Sequence, residues 1–252
     1  MYMSYKDREQ IILEYLQDNP SVSVKKLTKL LFASEATVRR DLKKLETKGL
    51  IIRTHGKAIS ASSYADKSVG FDIREISANP IKKRIAEVAV RDCISDGNVI
   101  ILDASSTVMH TVAFLNGCND LIVITSGLKT ALMLAKTNIR FYSTGGKSIS
   151  ISSSFVGQTA IDTVKTFNAD ICFVSCHGLS EDGFVTDTSE RENDLRKVMM
   201  QQSKRKVLLI DSSKIDKNCW HNLCCISAFD DVYCNKPLPN SIANKVKNFH
   251  LV

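Results

Sequence analysis

The chain has 252 residues, 44% hydrophobic and 24% charged, a composition that can bury a core and excludes disordered and collagen-like classes. No apolar run approaches the roughly 18 residues that crossing a bilayer needs, so no transmembrane helix and no membrane partner is expected. Charge is uneven: residues 1–57 hold 12 Lys or Arg against 7 Asp or Glu, +5 of the chain's +7, and the other 195 residues, with 22 basic and 20 acidic, are nearly neutral.

A small positive module joined to a larger neutral one points to a polyanion partner for the first, with nucleic acid leading and a merely solvated basic surface as the plain alternative. Lys6, Asp7, Arg8 and Glu9 fall where the apolar core of a secretory signal would begin, so a cytoplasmic location is expected. Residues 4–18 set Ile11, Ile12, Tyr15 and Leu16 on one helical face, with Ser4 as the N-cap. Ser23 caps a second, short helix in which Leu27, Leu30 and Leu31 recur at three and four, ending near Phe32 and Ala33. Ser34 caps a third, with Glu35 beside the positive end of its dipole and Gly49 free to take the left-handed stop. Three helices with a tight break between the second and third make a helix-turn-helix.

At about 100° per residue, Val38, Leu42 and Leu45 form the buried stripe of the third helix. Its opposite face holds Ala36, Arg40, Lys43 and Thr47, flanked by Thr37 and Lys44 on one side and Arg39 on the other, with Asp41 at the edge and placed to orient an arginine. A major groove accepts such a helix, with Arg40 suited to a bidentate contact to guanine and Arg39, Lys43 and Lys44 to phosphates. Residues 50–53 and 58–59 read as two short strands around a turn, a wing that carries Arg53, His55 and Lys57 over the adjacent backbone or minor groove. His55 equally suits a local hydrogen bond within the turn.

The segment SEATVRRDLKKLETKGLIIRTHGKA resembles the helix-turn-helix and wing of the DeoR family of bacterial transcription regulators, in its serine and its TxRRDL, LE, G and R.HG elements. Where that family usually has two glycines in the wing, Gly56 is followed by Lys57, which implies a stiffer, more basic tip. With the helix face described above, the resemblance gives Ser34, Ala36, Thr37, Arg39, Arg40, Lys43, Lys44, Arg53, His55 and Lys57 as the residues expected on double-stranded operator DNA.

Residues 60–70, rich in Ser and Ala, read as a linker, so the expected division is a DNA-binding domain at 1–59, a connection at 60–76 and a second domain at 77–252. There, Asn79 and Pro80 open a helix to Cys93 with Ile81, Ile85, Val88 and Ala89 as its buried stripe. Strand 99–102 ends at Asp103, and Ser105, Ser106 and Thr107 lead into a helix through His110 and Phe114, a strand–loop–helix start suited to an anion. The alternation continues with strands at 121–125, 139–143, 171–175 and 207–211, helices at 128–136, 157–167 and 189–202, a short strand at 232–234 and a last helix after Pro239. This is a Rossmann-like, mostly parallel α/β domain, whose ligands bind beyond the carboxyl ends of the strands.

Those ends carry Asp103 with Ser105 to Thr107, Thr125 with Ser126, Thr144 with Gly145 and Gly146, the segment 176–178 with Gly178, and Asp211 with Lys214. Hydroxyls, backbone amides and a lysine suit a phosphate, and Asp103 and Asp211 suit sugar hydroxyls as acceptors. The plain alternatives are that Gly145 and Gly146 only make a turn and that Asp211 only caps the segment after its strand. Eight cysteines (93, 118, 172, 176, 219, 224, 225, 234) form no CxxC pair and read as reduced thiols. Cys172, Cys176 and His177 could supply metal ligands but lack the ligand spacing, and Cys172 and Cys176 fall in an apolar strand-like run, so packing is the reading and no metal or cofactor is expected.

ILDASST, VITSG, STGGK, DICFVSCHGLSEDG and LLIDSSK extend the resemblance to the DeoR sensor domain, and so to nearly the whole chain. That domain's fold resembles ribose-5-phosphate isomerase, and its members sense phosphorylated sugars or related metabolites. The resemblance implies an effector site at Asp103, Ser105, Ser106, Thr107, Ser126, Gly145, Gly146, Gly178 and Lys214, and a homo-oligomeric repressor of a carbohydrate-metabolism operon. The sequence departs from the family at Ala104 to Ser106, where glycine and threonine are common, and at 125–127, where asparagine is usual. Two other readings stand beside it: a sugar-phosphate isomerase-like enzyme with Asp103 or Asp211 as base and Lys214 stabilising an enediolate, and a helix-turn-helix that serves only to dimerise. The Arg39, Arg40, Lys43 and Lys44 cluster weighs against the last.

Overall fold

The computed structural model describes residues 4–19, 21–47, 50–54, 57–60, 71–76 and 79–252, and the chain divides into two compact units, residues 1–77 and 78–252. The first contains α1 (Tyr5–Asp18), β1 (Val22–Ser23), α2 (Val24–Leu30), α3 (Glu35–Thr47), β2 (Ile51–Thr54), β3 (Lys57–Ser60) and α4 (Phe71–Ile76). Each of the first three helices starts where a serine is available. Ser4 and Asp7 exchange side chain and backbone hydrogen bonds in a capping box, Ser23 Oγ accepts from the Lys26 amide at 3.1 Å, and Ser34 Oγ accepts from the Thr37 amide at 3.2 Å. Between α2 and α3 the chain reverses through Phe32 at φ 47, a left-handed conformation costly for a bulky residue. Ile12, Leu16, Leu27, Leu31, Val38, Leu42, Leu45, Ile51 and Ala58 close a single core, so the three helices and the wing base are one packed body.

The wing strands pair antiparallel, Ile51 opposite Ser60 and Thr54 opposite Lys57, and β1 adds to β3 to complete a three-stranded sheet. A two-residue strand such as β1 shows no alternation, which is why sequence periodicity does not reveal it. His55, Gly49 and Gly56, and all of the expected linker but Ser60, lie outside the described residues, so the wing tip's contribution is not placed.

The second unit runs α5 (Asn79–Cys93), β4 (Val99–Leu102), α6 (Ser106–Met109) continuing as a 3-10 segment (His110–Gly117), β5 (Ile122–Thr125), α7 (Leu128–Leu134), β6 (Arg140–Ser143), β7 (Lys147–Ile149), β8 (Ser154–Val156) and α8 (Gln158–Lys165). It continues with β9 (Ala169–Val174), β10 (Gly178–Leu179), β11 (Phe184–Asp187), α9 (Glu190–Gln201), β12 (Ser203–Ile210), β13 (His221–Cys225), β14 (Asp231–Cys234), α10 (Asn240–Ala243) and β15 (Asn248–Leu251). A seven-stranded sheet in the order β15-β14-β12-β9-β4-β5-β6 is parallel throughout. Alternate residues of its strands feed two cores: Ile100, Leu102, Val123, Phe173 and Leu209 on the α5 side, and Ile101, Ile124, Cys172, Val174 and Leu208 on the α8 and α9 side.

From β4 the chain adds strands outward to β6, then returns to place β9 on β4's other side. The strand order therefore reverses between β4 and β9, the position where ligands of open parallel sheets bind. Three features depart from expectation. Ile81 is 39% exposed and its place on the buried stripe of α5 is taken by Lys82, 3% exposed. The hairpin β7–β8 and the antiparallel sheet β10-β11-β13 rise beyond the carboxyl edge from segments of two to five residues, too short for a periodic signal. The last helix is a single turn, and β15 follows it at the sheet's edge.

Candidate functional site

In the first unit α3 presents the surface the sequence anticipates. Val38, Leu42 and Leu45 are buried, while Ala36, Arg39, Arg40, Lys43, Lys44 and Thr47 are exposed. The cations differ in freedom. Arg39 reaches Glu35 at 3.3 Å one turn back, Lys44 Nζ lies 4.4 Å from the centroid of the Tyr5 ring, and Arg53 of β2 meets Glu46 at 3.5 Å. Arg40 and Lys43 have no ion-pair partner among the described residues, so the centre of the face is available to an anionic ligand. Ser34 and Thr37 share a 2.9 Å hydroxyl contact at the helix start, and Lys57 is exposed at the start of β3.

Asp41 is not at the edge: it is 2% exposed, and its Oδ2 accepts from Arg8 Nε of α1 at 2.6 Å. The arginine it orients belongs to another helix, so the pair ties α1 to α3 and sets the pose of the face. The reason is register, since position 41 lies beside Leu42 and Leu45 on the inward side, where an unpaired carboxylate would be costly.

At the carboxyl edge of the large sheet, the loops after β4, β5, β6, β9 and β12 converge. Asp103, expected to accept sugar hydroxyls, is already fully engaged at 1% exposure. Its Oδ1 accepts from the Ser105 amide at 2.9 Å, and its Oδ2 from Arg196 Nε at 2.9 Å and the Ser175 amide at 3.2 Å. It thus pins the end of β4 to the end of β9 at the point where strand order reverses, and positions the loop rather than offering a lone pair. Ser105 Oγ caps α6 by accepting from the Val108 amide at 3.3 Å, Ser106 Oγ accepts from Lys82 Nζ at 3.3 Å, and Thr107 is buried.

Ser126 is buried beneath the hairpin, its carbonyl accepting from the Phe155 amide at 2.8 Å. Gly145 and Gly146 take φ 61 and 100, conformations that favour glycine, and at Gly146 close backbone approach adds to this, since a Cβ there would fall 2.7 Å from the Val156 carbonyl. Gly178 is constrained likewise, because a Cβ there would collide with the Lys217 carbonyl. Asp211 Oδ1 accepts from the Ser213 amide at 2.9 Å, the local capping the sequence allowed for. Its Oδ2, however, is buried without a hydrogen-bond partner among the described residues. Burial raises the Asp211 carboxyl, but the charge of Lys214, the Ser213 hydrogen bonds and the charge of Lys82 outweigh it and hold the group below the ordinary carboxylate value.

The hub of this edge is a residue not among those expected from the sequence. Arg196 of α9, buried, also donates from Nη1 to Asp187 Oδ2 at 2.8 Å and to Asn193 Oδ1 at 3.1 Å, and from Nη2 to Glu192 Oε2 at 3.3 Å. Glu192 Oε1 accepts from Ser154 Oγ of the hairpin at 2.7 Å, Asn193 Nδ2 lies 3.0 Å from His221 Nδ1 of β13, and His177 Nδ1 lies 2.9 Å from Asp187 Oδ2. Burial pushes the Asp187 carboxyl up, yet Arg196, His177 and the Thr188 amide pull it far below the usual range. Glu192 and Arg196 stand one turn apart on the same side of α9 as Leu195 and Met199; a charged pair in phase with an apolar stripe was the one available signal. Cys172 is buried in β9 and Cys176 in the loop that follows it, the former's thiol pushed up to about 12 by burial, as packing residues are.

Residues 78–236 match the DeoR C terminal sensor domain and residues 8–64 the DeoR-like helix-turn-helix domain. The chain is 35% identical over 213 residues to the uncharacterized HTH-type transcriptional regulator YulB of Bacillus subtilis (strain 168), covering 84% of this chain and 81% of that protein. It is 30% identical over 240 residues to the L-fucose operon activator of Haemophilus influenzae, covering 95% of each. The glycerol-3-phosphate regulon repressor of Escherichia coli (strain K12) is 26% identical over 99% of this chain and 98% of its own. With a helix-turn-helix and wing in the first unit and the sensor sheet in the second, the chain belongs to the DeoR family of DNA-binding transcriptional regulators.

Proposed function

We propose that residues 1–59 bind operator DNA and that a phosphorylated sugar or related metabolite, seated at the carboxyl edge within residues 77–252, controls that binding, with residues 60–76 as the connection. The chain works as a cytoplasmic homo-oligomer, because one winged helix reads few base pairs and useful specificity needs repeated half-sites. The regulated genes serve carbohydrate metabolism, a reading supported by the sugar and glycerol-3-phosphate systems in the relatives' names. The sign is repression, a reading supported by the relatives named as repressors, the glycerol-3-phosphate regulon repressor among them, although the L-fucose relative is named an activator.

The observation that carries the DNA half is the acid-free centre of α3, where Arg40 and Lys43 stand exposed between Ala36 and Thr47. Arg40 takes a guanine edge, and Lys43, Lys44 and Arg39 take phosphates, with Arg53 and Lys57 on the flanking backbone. For the effector half, Lys214 supplies charge beside the strand ends and Asp211 Oδ2 supplies an acceptor, while Asp103 shapes the loop at Ser105 to Thr107. A sensor rather than an enzyme fits Asp103 best, since a general base needs a lone pair directed at the substrate, and both of its oxygens already accept. The test is enrichment of duplexes from a random-sequence pool by the full chain, followed by binding of the winner and of an unrelated duplex across salt concentrations. Preference for the winner and a steep fall with salt are expected; equal binding of both duplexes contradicts the proposal.

A further inference from the structure

Phe32, in the turn between α2 and α3, is disfavoured in both its backbone and its side chain. Leu31 caps the end of α2, and the Ala33 amide donates back to the Thr28 carbonyl at 3.2 Å, a closure that holds the residue between them in the left-handed region at φ 47. Glycine takes that conformation freely and asparagine readily, whereas the Cβ of a bulky residue crowds the carbonyl that follows it. Leu31 and Ala33 on either side turn into the core of the first unit, but Phe32 is left 93% exposed. The fold therefore gains little from the ring: glycine would close the same turn with less strain, and almost no apolar area is buried.

The surroundings of the ring indicate what covers it. Residues 24–34 carry Lys25, Lys26 and Lys29 and no acidic residue, and all three lysines are exposed with no ion-pair partner among the described residues. Two residues beyond Phe32, and so within about 8 Å of it between Cα atoms, Ser34 is exposed at the start of α3. The acid of that first turn, Glu35, is paired with Arg39. A ring set among cations and hydroxyls fits a polyanion that also offers apolar surface. Duplex DNA does so, because thymine methyl groups and deoxyribose carbons lie beside its phosphates. The same unit of a second copy would instead bring like charge against like.

We propose that Phe32 is a DNA contact of the helix-turn-helix, its ring packing on the apolar surface that the operator offers at the major groove, a thymine methyl or a deoxyribose at the groove wall. This rests on the operator reading of residues 1–59 and adds to it an apolar residue outside α3 and the wing. A residue that only shaped the turn would be replaced by glycine without loss of DNA binding.

The test measures binding of the full chain to the duplex enriched from the random-sequence pool, comparing wild type with Phe32→Gly, Phe32→Asn and Phe32→Leu across salt concentrations. Glycine and asparagine both suit the left-handed position, so these two variants should melt no lower than wild type. Their affinity for the enriched duplex should nevertheless fall about tenfold with the salt slope unchanged, since no charge is removed, and Phe32→Leu, which keeps an apolar side chain, should lose less than about threefold. A duplex with uracil in place of thymine identifies the surface: a loss in wild type that Phe32→Gly does not share assigns the thymine methyl, and equal losses in both assign the deoxyribose. Wild-type affinity in a folded Phe32→Gly would overturn the proposal while leaving the operator reading intact, and so would a loss in Phe32→Leu as large as that in Phe32→Gly. Equal binding of the enriched and an unrelated duplex by the wild-type chain would overturn the operator reading itself and this proposal with it.

Discussion

The charges on α3 and the charges at the sheet's carboxyl edge are used in opposite ways. Arg40 and Lys43 stand in solvent with no ion-pair partner among the described residues, whereas Arg196 is enclosed by Asp103, Asp187 and Glu192 at 2.8 to 3.3 Å. An exposed cation costs the fold little and remains open to a polyanion, at an energy that salt screens. A buried cation among carboxylates is held by the fold and holds the fold in return, and it is barely screened. The first arrangement suits reversible reading of a long charged partner; the second fixes the geometry into which a small ligand must fit.

The largest expected effect breaks the buried side of this comparison. Arg196→Ala leaves three carboxylates facing one another without a cation, and should cost about 3–5 kcal/mol of sensor-domain stability or prevent its folding. Urea unfolding monitored on the sensor domain checks it, and a loss under about 1 kcal/mol would show that the network is better solvated than its burial implies. The same network predicts an acid limb. Because the Asp187 carboxyl lies far below its unfolded value in the folded chain, its contribution is present above the ordinary carboxylate pKa of about 4 and is lost as pH falls below it. Asp187→Asn should therefore be less stable than wild type at neutral pH and show a shallower loss between about pH 5 and pH 2 in pH-resolved thermal melts.

Next in size comes the exposed side. Arg40→Ala should lose about 1–3 kcal/mol on the preferred duplex and relax its specificity at one position, while Lys43→Ala should weaken all duplexes alike and reduce the salt slope by about 1. Competition binding at several salt concentrations separates the two, and a uniform loss for Arg40→Ala would move it from base to phosphate contact. Ser4→Ala, which removes the capping box of α1, should cost about 1 kcal/mol of stability in the first unit without altering specificity. Smallest of all, Glu35→Gln removes an exposed one-turn pair with Arg39 and should change stability by only about 0.3–0.5 kcal/mol in chemical denaturation. It also frees Arg39 and removes a nearby negative charge, so DNA affinity should rise slightly at low salt.

Much of this molecule is legible in its sequence where a pattern repeats long enough to read. Val38, Leu42 and Leu45 give the recognition helix its buried stripe, and the serines at 4, 23 and 34 mark three helix starts because each side chain meets an amide three residues on. The strand-end positions likewise follow from the βα alternation, which brings Asp103, Ser126, Gly146 and Lys214 to one edge of the sheet. What escapes is set by tertiary contacts. Asp41 is read as an edge residue until Arg8 arrives from another helix, and Lys82 is passed over in favour of Ile81 because a lysine is rarely placed on a core face. Arg196 is hidden for a related reason: its partners lie 93, 9 and 4 residues away, and only the last is visible as a local pair. The hairpin over Ser126 and the small antiparallel sheet are missed because their strands are too short for alternation to declare itself.

The central claim is that one chain reads DNA and a phosphorylated metabolite and that each binding event is felt by the other. Its most direct test starts from a thermal-shift screen of phosphorylated sugars on the full chain, then measures the affinity of the best stabiliser with and without a saturating amount of the enriched duplex. Linkage requires reciprocity, so a metabolite that weakens DNA binding tenfold, about 1.4 kcal/mol, must itself bind tenfold more weakly to the DNA complex. The account predicts unequal affinities, with the ratio matching the metabolite's effect on DNA binding; identical affinities would contradict it, leaving a DNA-binding unit and a metabolite-binding unit joined without regulation.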